Sequence, residues 1–340
     1  MGEQFKWNPS KEKMGAMLRQ ALYTSDTEAL EHLLKQRADV ECREEATGST
    51  PLHIAATNMK TDMISWLLRR RADVAAIDAE GFTPLAWSCM KGHIESLTKL
   101  IDGRADVTEV FESSGKTPLC LTAERSFLDC IDLLLARRAS LEERCRDGST
   151  ALACAAHRCE TEVVLHLLGK SSPVNTLDNN SWSPLMYALN APVPPRSLGG
   201  ENGDHKVSVD GVLGKRSTIE VLLLHKSDVN ARSGDGLSPL IVASGHDRPR
   251  AVSKLLEARA EVAATTARGN SALLMACGQD LVDIVRLLIR ANAEVNAANL
   301  KGDTPLSVSE KLGHKEVVEV LKQAGAVPPK SGKKNKGKKK

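Results

Sequence analysis

The chain has 340 residues, 41% hydrophobic but only 3% aromatic, so Leu, Ala, Val and Ile must fill the core, which favours packed helices over sheets. There is no run of the ~18 apolar residues that a membrane-spanning helix needs, and the opening MGEQFKWNPSKEK lacks the apolar stretch of a secretory leader. The net charge of +3 hides an asymmetry: KSGKKNKGKKK (330–340) holds seven lysines and no acid, so the remainder is a mildly acidic body at −4. Lys6 stands where a myristoylation signal wants Ser or Thr. With eight cysteines and no leader, reduced thiols in a cytoplasmic or nuclear setting are expected.

Residues 1–13 read as a disordered N-terminus. From about residue 14 a first element carries Leu18, Ala21, Leu30, Leu33 and Leu34, a spacing that returns throughout the chain. Next comes Thr50-Pro51-Leu52, which recurs in full at Thr83, Thr117 and Thr304 and in close variants at Thr150, Ser183, Ser238 and Ser271. Thr or Ser before Pro is a helix start: the hydroxyl accepts a free backbone N–H, and Pro at the first helical position gives up a donor that had no partner. The intervals are 33, 34, 33, 33, 55, 33 and 33 residues, the mark of a repeat array. Two residues after each start stands Leu. Five residues after it stands a small side chain: Ala55, Ser88, Thr122, Ala155, Ala188, Ala243, Ala276 or Ser309. A second apolar set follows, such as Ile64/Leu67/Leu68 or Val285/Leu288/Ile289, spaced as one helical face. Each unit therefore predicts a short capped helix, a tight turn, a second helix and an extended connection. The element from 14 is a first, capping unit. The last, from Thr304 to about Val327, carries Glu310, Lys311 and Lys322 at positions small or apolar elsewhere, as a closing unit should.

The one long interval exceeds the others by 22 residues, which places an insertion at about 191–212, between the two helices of one unit. Its Pro and Gly residues predict a flexible loop, read as a tolerated surface insertion in preference to a partner-specific one. Within and after it, GVLGKRST (211–218) outlines a phosphate loop, but Val209 and Arg216 stand where that motif needs Gly and a hydroxyl. Cys154, His157 and Cys159 form a tempting metal cluster, but without a fourth ligand they are read as packing, with His157 exposed. Cys89 and Cys277 are expected in the core, and Cys42 and Cys145 as ordinary exposed thiols. No nucleophile elbow or zinc-protease motif is present.

TPLHIAA (50–56), GFTPLAWSCMKGHIESLTKLI (81–101) and the recurring RADV (37–40, 71–74, 104–107) identify the resemblance: the chain is similar to ankyrin-repeat proteins over about 14–327. The resemblance implies an all-α solenoid of about nine helix-turn-helix units with hairpin-like fingers. It also implies the binding of protein partners through its concave face and fingertips. With repeats, an insertion and a tail accounting for the chain, a noncatalytic, monomeric scaffold without cofactor or metal is expected. The matching surface positions are Ile77, Phe82, Met90, Phe111, Leu177, Trp182, Leu237 and Leu300. They serve either as binding hot spots or as packing between adjacent fingers. The family's Gly after the second helix survives only as Gly325, and Arg37, Arg71, Arg104, Arg138, Ser171, Lys226, Arg259 and Asn292 replace it elsewhere. The arginines of this row are expected to pair with Asp39, Asp73 and Asp106 of neighbouring units in preference to binding an anion. Finger acids such as Glu41, Asp78 and Glu109 in the first half, and Arg232, Arg268 and Lys301 in the second, suggest a charge gradient. The tail (328–340) reads as disordered. Its Lys330, Lys333, Lys334, Lys336, Lys338, Lys339 and Lys340 suggest the alternative of an adaptor tethered nonspecifically to nucleic acid or an anionic membrane, and 333–336 resembles a nuclear-import cluster.

Overall fold

The computed structural model describes residues 11–36, 38–192 and 216–328. Their regular structure is eighteen α-helices, with a single β-bridge between Thr265 and Ser271. The helices come in pairs: α1 (Lys11–Thr24) with α2 (Thr27–Lys35), α3 (Pro51–Thr57) with α4 (Thr61–Arg69), α5 (Pro84–Lys91) with α6 (Ile94–Asp102), α7 (Pro118–Glu124) with α8 (Leu128–Ala136), and α9 (Ala151–His157) with α10 (Thr161–Gly169). Then follow α11 (Pro184–Asn190) with α12 (Thr218–Leu224), α13 (Pro239–Ser244) with α14 (Pro249–Glu257), α15 (Ala272–Gly278) with α16 (Val282–Arg290), and α17 (Pro305–Leu312) with α18 (Lys315–Gln323). This is the all-α repeat array predicted from the period. The insertion expected at 191–212 falls between α11 and α12, and residues 193–215 lie outside the described residues, as do residues 1–10 and 329–340 of the ends expected to be disordered at 1–13 and 328–340. Helix α1 begins at Lys11, ahead of the expected start at 14.

Two compact units result. One runs to Ala155 and includes Leu165–Pro173; the other holds Ala156–Val164 and the residues from Val174 on. In the first unit α1, α3, α5 and α7 stack in order, and α4, α6 and α8 stack beside them. In the second, α11, α13, α15 and α17 stack, as do α14, α16 and α18. Helices this short are not stable alone, so packing must hold them. The repeated Leu two residues into each unit is at most 1% exposed, and the small residue at the fifth position is 0% exposed in all eight units that carry it. The second helices bury Ile64 and Leu67, Ile131 and Leu134, Val164 and Leu167, and Val285 and Leu288, while Leu68, Leu135, Leu168 and Ile289 stand half-buried at the rim. In the last unit Lys322 pairs with Glu310 at 3.0 Å, which closes that end with charge.

The hydroxyls of Thr83, Thr117, Ser183, Ser238, Ser271 and Thr304 each accept the N–H three residues on, capping the first helices as predicted. At Thr50 a histidine takes part: His53 Nδ1 accepts the Thr50 N–H at 3.1 Å, and Nε2 reaches the Phe82 carbonyl at 2.9 Å. His53 ties its own helix start to the next finger.

After each second helix the chain must reverse in a left-handed residue. Arg71, Arg104, Arg138, Ser171, Lys226, Arg259 and Asn292 all have φ between 61° and 78°, and Gly325 has 86°. These are the positions where the family resemblance implies Gly, and Arg37 lies outside the described residues. A non-Gly residue held there costs about 1 kcal/mol, partly offset by a cation near the helix end at about 0.3–1 kcal/mol. Among the described residues Arg71, Arg104 and Arg138 do not make the inter-unit pairs expected of them. Asp39, Asp73 and Asp106 turn their carboxylates onto the N–H groups of Glu41, Ala75 and Thr108 two residues on, and Arg71, Arg104 and Arg138 stay exposed.

Arg71→Gly, Arg104→Gly and Arg138→Gly should each raise stability by up to about 0.7 kcal/mol in urea titrations, the strain less the lost cation, and Asn292→Gly should gain little because Asn tolerates this conformation best. A loss of stability in the arginine variants would show that these side chains make contacts worth more than the strain. Burial lowers the His53 pKa below its ordinary 6.5, against the pull of the Phe82 carbonyl. Its contribution is therefore complete above that value and is lost as pH falls through the folded pKa. As pH falls below about 6.5 the chain should lose stability more steeply than its His53→Gln variant, read by thermal melts across pH.

Candidate protein-interaction surface

Each finger is a tight reversal in which the N–H of an inward-pointing residue bonds the carbonyl just before the helix cap. The pairs include Asp78 with Phe82 at 3.0 Å, Cys145 with Ser149 at 2.8 Å and Asp178 with Trp182 at 3.0 Å. Adjacent fingers are joined by single backbone bonds, among them Ala79 to Thr47, Arg146 to Gly115, Gly234 to Asn180 and Ala267 to Asp235, at 2.7–2.9 Å. A left-handed residue sits at each tip. At Gly236 a Cβ would lie 2.9 Å from the Ala267 nitrogen, so only Gly permits this approach.

The inward slot is polar in most fingers, and two carboxylates there organise the surface. Asp78 Oδ1 accepts the N–H groups of Glu80 and Phe82, while Oδ2 accepts the Trp87 indole N–H at 2.8 Å. Asp178 does the same with Asn180, Trp182 and the Tyr187 hydroxyl at 2.6 Å. Both aspartates are buried, at 7% and 8% exposure. Each clamps a ring from the first helix against the finger's own aromatic. The Phe82 and Trp87 rings lie 5.4 Å apart, and those of Trp182 and Tyr187 lie 5.6 Å apart, both tilted. The His157 ring meets Tyr187 edge-on at 5.7 Å, so the expected exposed histidine is half-buried. Both aromatic pairs are half-exposed, one in each compact unit. Trp87 and Tyr187 were not among the sequence-predicted contacts. The signal that finds them is an Asp nine residues ahead of an aromatic, across the Thr/Ser-Pro cap.

The predicted contacts divide by exposure. Ile77 at 42%, Leu177 at 39% and Leu300 at 81% project from their fingers; Phe82, Met90, Trp182 and Leu237 are half-buried. Phe111 is corrected as a surface residue: it is 2% exposed. The 34-residue interval puts one extra residue into that turn. The Phe111 N–H therefore bonds the Lys116 carbonyl, and Phe111 takes the inward slot that Asp78 fills one finger earlier. Val110, at 41%, projects instead.

The charge gradient is also reduced. Glu41 accepts the Asp73 N–H and Glu109 accepts the Thr83 hydroxyl, both at 2.8 Å, while Asp78 is internal. Burial raises the pKa of Glu41 and Glu109 above the usual carboxylate range. Arg232 is spent inside the array, bonding the Gly236 and Thr265 carbonyls and Glu261. Arg43 does likewise with the carbonyls of Gly48 and Ile77.

Cys89 and Cys277 are in the core as expected, but Cys145 is not an exposed thiol. It fills an inward slot at 6% exposure, beside Cys120 and Cys154. Hydrogen bonds from those two thiols, with the Thr117 N–H and the Ser149 hydroxyl, hold its thiol below the usual range. The sequence trio Cys154, His157 and Cys159 is thus not assembled. Cys154 turns to the other thiols and His157 to Tyr187.

Among the described residues no helix is long and apolar enough to cross a membrane. The family described as "Ankyrin repeats (3 copies)" matches residues 18–111, 119–192, 211–299 and 248–332. Tyrosine-protein kinase HTK16 of Hydra vulgaris is 39% identical over 105 residues, covering 31% of this chain and 14% of that protein. Ankyrin repeat protein nuc-2 of Neurospora crassa is 29% identical over 174 residues, covering 50% and 16%. The probable 26S proteasome regulatory subunit p28 of Saccharomyces cerevisiae is 26% identical over 179 residues, covering 51% and 78%. The chain thus spans about a sixth of the first two relatives, whose remaining lengths have no counterpart in the alignment. Matched by the family over most of its length, and built of capped helix pairs joined by glycine-tipped fingers, the chain belongs to the ankyrin-repeat family.

Proposed function

We propose that this chain is a noncatalytic scaffold that binds protein partners across its fingers and first helices. The observation that carries this reading is the pair of aromatic ridges, Phe82 with Trp87 and Trp182 with Tyr187, each held half-exposed by a buried aspartate. Rings fixed before binding lose little freedom on binding, and aromatic side chains dominate interface hot spots. Ile77, Leu177 and Leu300 add exposed apolar surface at the turns. Ankyrin repeats generally mediate protein–protein interaction, and the relatives named above include a regulatory subunit and a kinase, in keeping with an adaptor role. The alternative, tethering to nucleic acid or an anionic membrane, rests on the seven lysines of 330–340, which lie outside the described residues.

The test is affinity capture from lysate with the full chain, with residues 1–327, and with Phe82→Ala and Trp182→Ala, each with and without nuclease. The scaffold reading expects a nuclease-resistant partner retained by 1–327 and weakened in the ring variants by ≥2 kcal/mol, about 30-fold. Circular dichroism checks that those variants fold. Capture that vanishes with the tail or with nuclease, and ignores Phe82 and Trp182, would replace the scaffold by the tethered adaptor.

A further inference from the structure

Three thiols converge inside the first compact unit. Cys120 lies on α7, Cys145 in the following finger, and Cys154 on α9. Their sulfurs all lie within 4.8 Å of one another, and none of the three residues is more than 6% exposed. Among the described residues no other group of three His, Cys, Asp or Glu is so arranged.

The repeat frame says what kind of place this is. Cys145 and Cys154 occupy the two positions that hold Asp78 with Trp87, and Asp178 with Tyr187, in other units. There an anion faces a hydrogen-bond donor in a buried setting. In those two units the fold thus provides a small polar chamber between finger and first helix. In this unit both occupants are sulfur. Cys120 enters from the preceding unit at the position of His53, whose ring likewise reaches the next finger, at the Phe82 carbonyl. The three ligands therefore come from three backbone segments of two successive units, Cys120 from one and Cys145 and Cys154 from the next, and the convergence needs no rearrangement of the chain.

We propose that Cys120, Cys145 and Cys154 form a three-coordinate thiolate site for a soft monovalent cation of the Cu(I) type. Thiolates are the ligands that Cu(I) prefers. At a metal–thiolate bond of about 2.3 Å, a trigonal site needs sulfur-to-sulfur edges of about 4 Å. Sulfurs already within 4.8 Å reach that by small side-chain rotations. Structural zinc wants a fourth ligand, and among the described residues no fourth His, Cys, Asp or Glu atom joins the group. Loading forms three copper–sulfur bonds. It breaks the S–H bond of every thiol still protonated and passes those protons to solvent, and no electron changes hands.

The experiment titrates the reduced full chain with Cu(I) without oxygen, against a coloured Cu(I) chelator, followed by X-ray absorption at the copper edge. One ion per chain bound by three sulfurs is expected. Cys120→Ala and Cys154→Ala should each weaken binding by more than ~100-fold, beyond the ~10–100-fold typical of an outer-shell partner. Cys42→Ser and Cys159→Ser, at the two half-exposed thiols, should leave it unchanged. Copper that the chelator strips completely, a sulfur count other than three, or binding that follows Cys42 or Cys159 would overturn the proposal. If an alanine variant does not fold, the stoichiometry and sulfur count of the unmutated chain decide it.

Discussion

Everything in this molecule depends on how closely one first helix can approach the next. The position five residues into each unit is Ala, Ser or Thr, and it is fully buried in all eight units that carry it. A larger side chain there would separate neighbouring helices, and close packing does not tolerate such gaps. The Leu contacts, the cap hydroxyls and the finger-to-finger backbone bonds all require that spacing. Since the first helices α3 to α17 have only six to eight residues each, none outlasts the loss of its neighbours. The array gains stability through nearest-neighbour contacts and spends part of it at the left-handed turns, where arginines stand in for glycine.

The half-exposed aromatic surface is a by-product of the same economy. A finger must satisfy its own turn, and a buried carboxylate does so by accepting two backbone N–H groups. Its second oxygen remains free, and in two units an aromatic from the helix takes it. One internal hydrogen-bonding need thus fixes an external ring. The same slot filled by Cys145 leads inward, to other sulfurs. Structure-keeping and surface-making are decided at one position per repeat.

The helices, their caps and the core were legible in the sequence because they follow a strict offset from each Thr or Ser. Even the strained turns after the second helices could be read, from the residues that replace Gly. The surface was less legible, for a physical reason in each instance. Phe111 looked like a fingertip residue because its offset from Thr117 matches that of Ile77 from Thr83, but its turn is one residue longer. Trp87 and Tyr187 went unmarked because the acids that hold them lie across the cap, nine residues earlier. Cys120 and Cys145 carried no local signal, since the contact joins a helix of one unit to the finger of the next. Offsets within a unit report on the core, whereas contacts between units need the stacking itself.

The longer turn at Phe111 has a wider meaning. The added residue lies at the tip, between Phe111 and Lys116, and counted from Arg104 the exposed Val110 and buried Phe111 keep the places that Ile77 and Asp78 hold counted from Arg71. The rising arm of a finger is registered by the helix before it, so the extra residue is absorbed at the tip. A finger of this kind can therefore grow in reach while what it hides stays the same, because length and inward register are set at different ends of the turn.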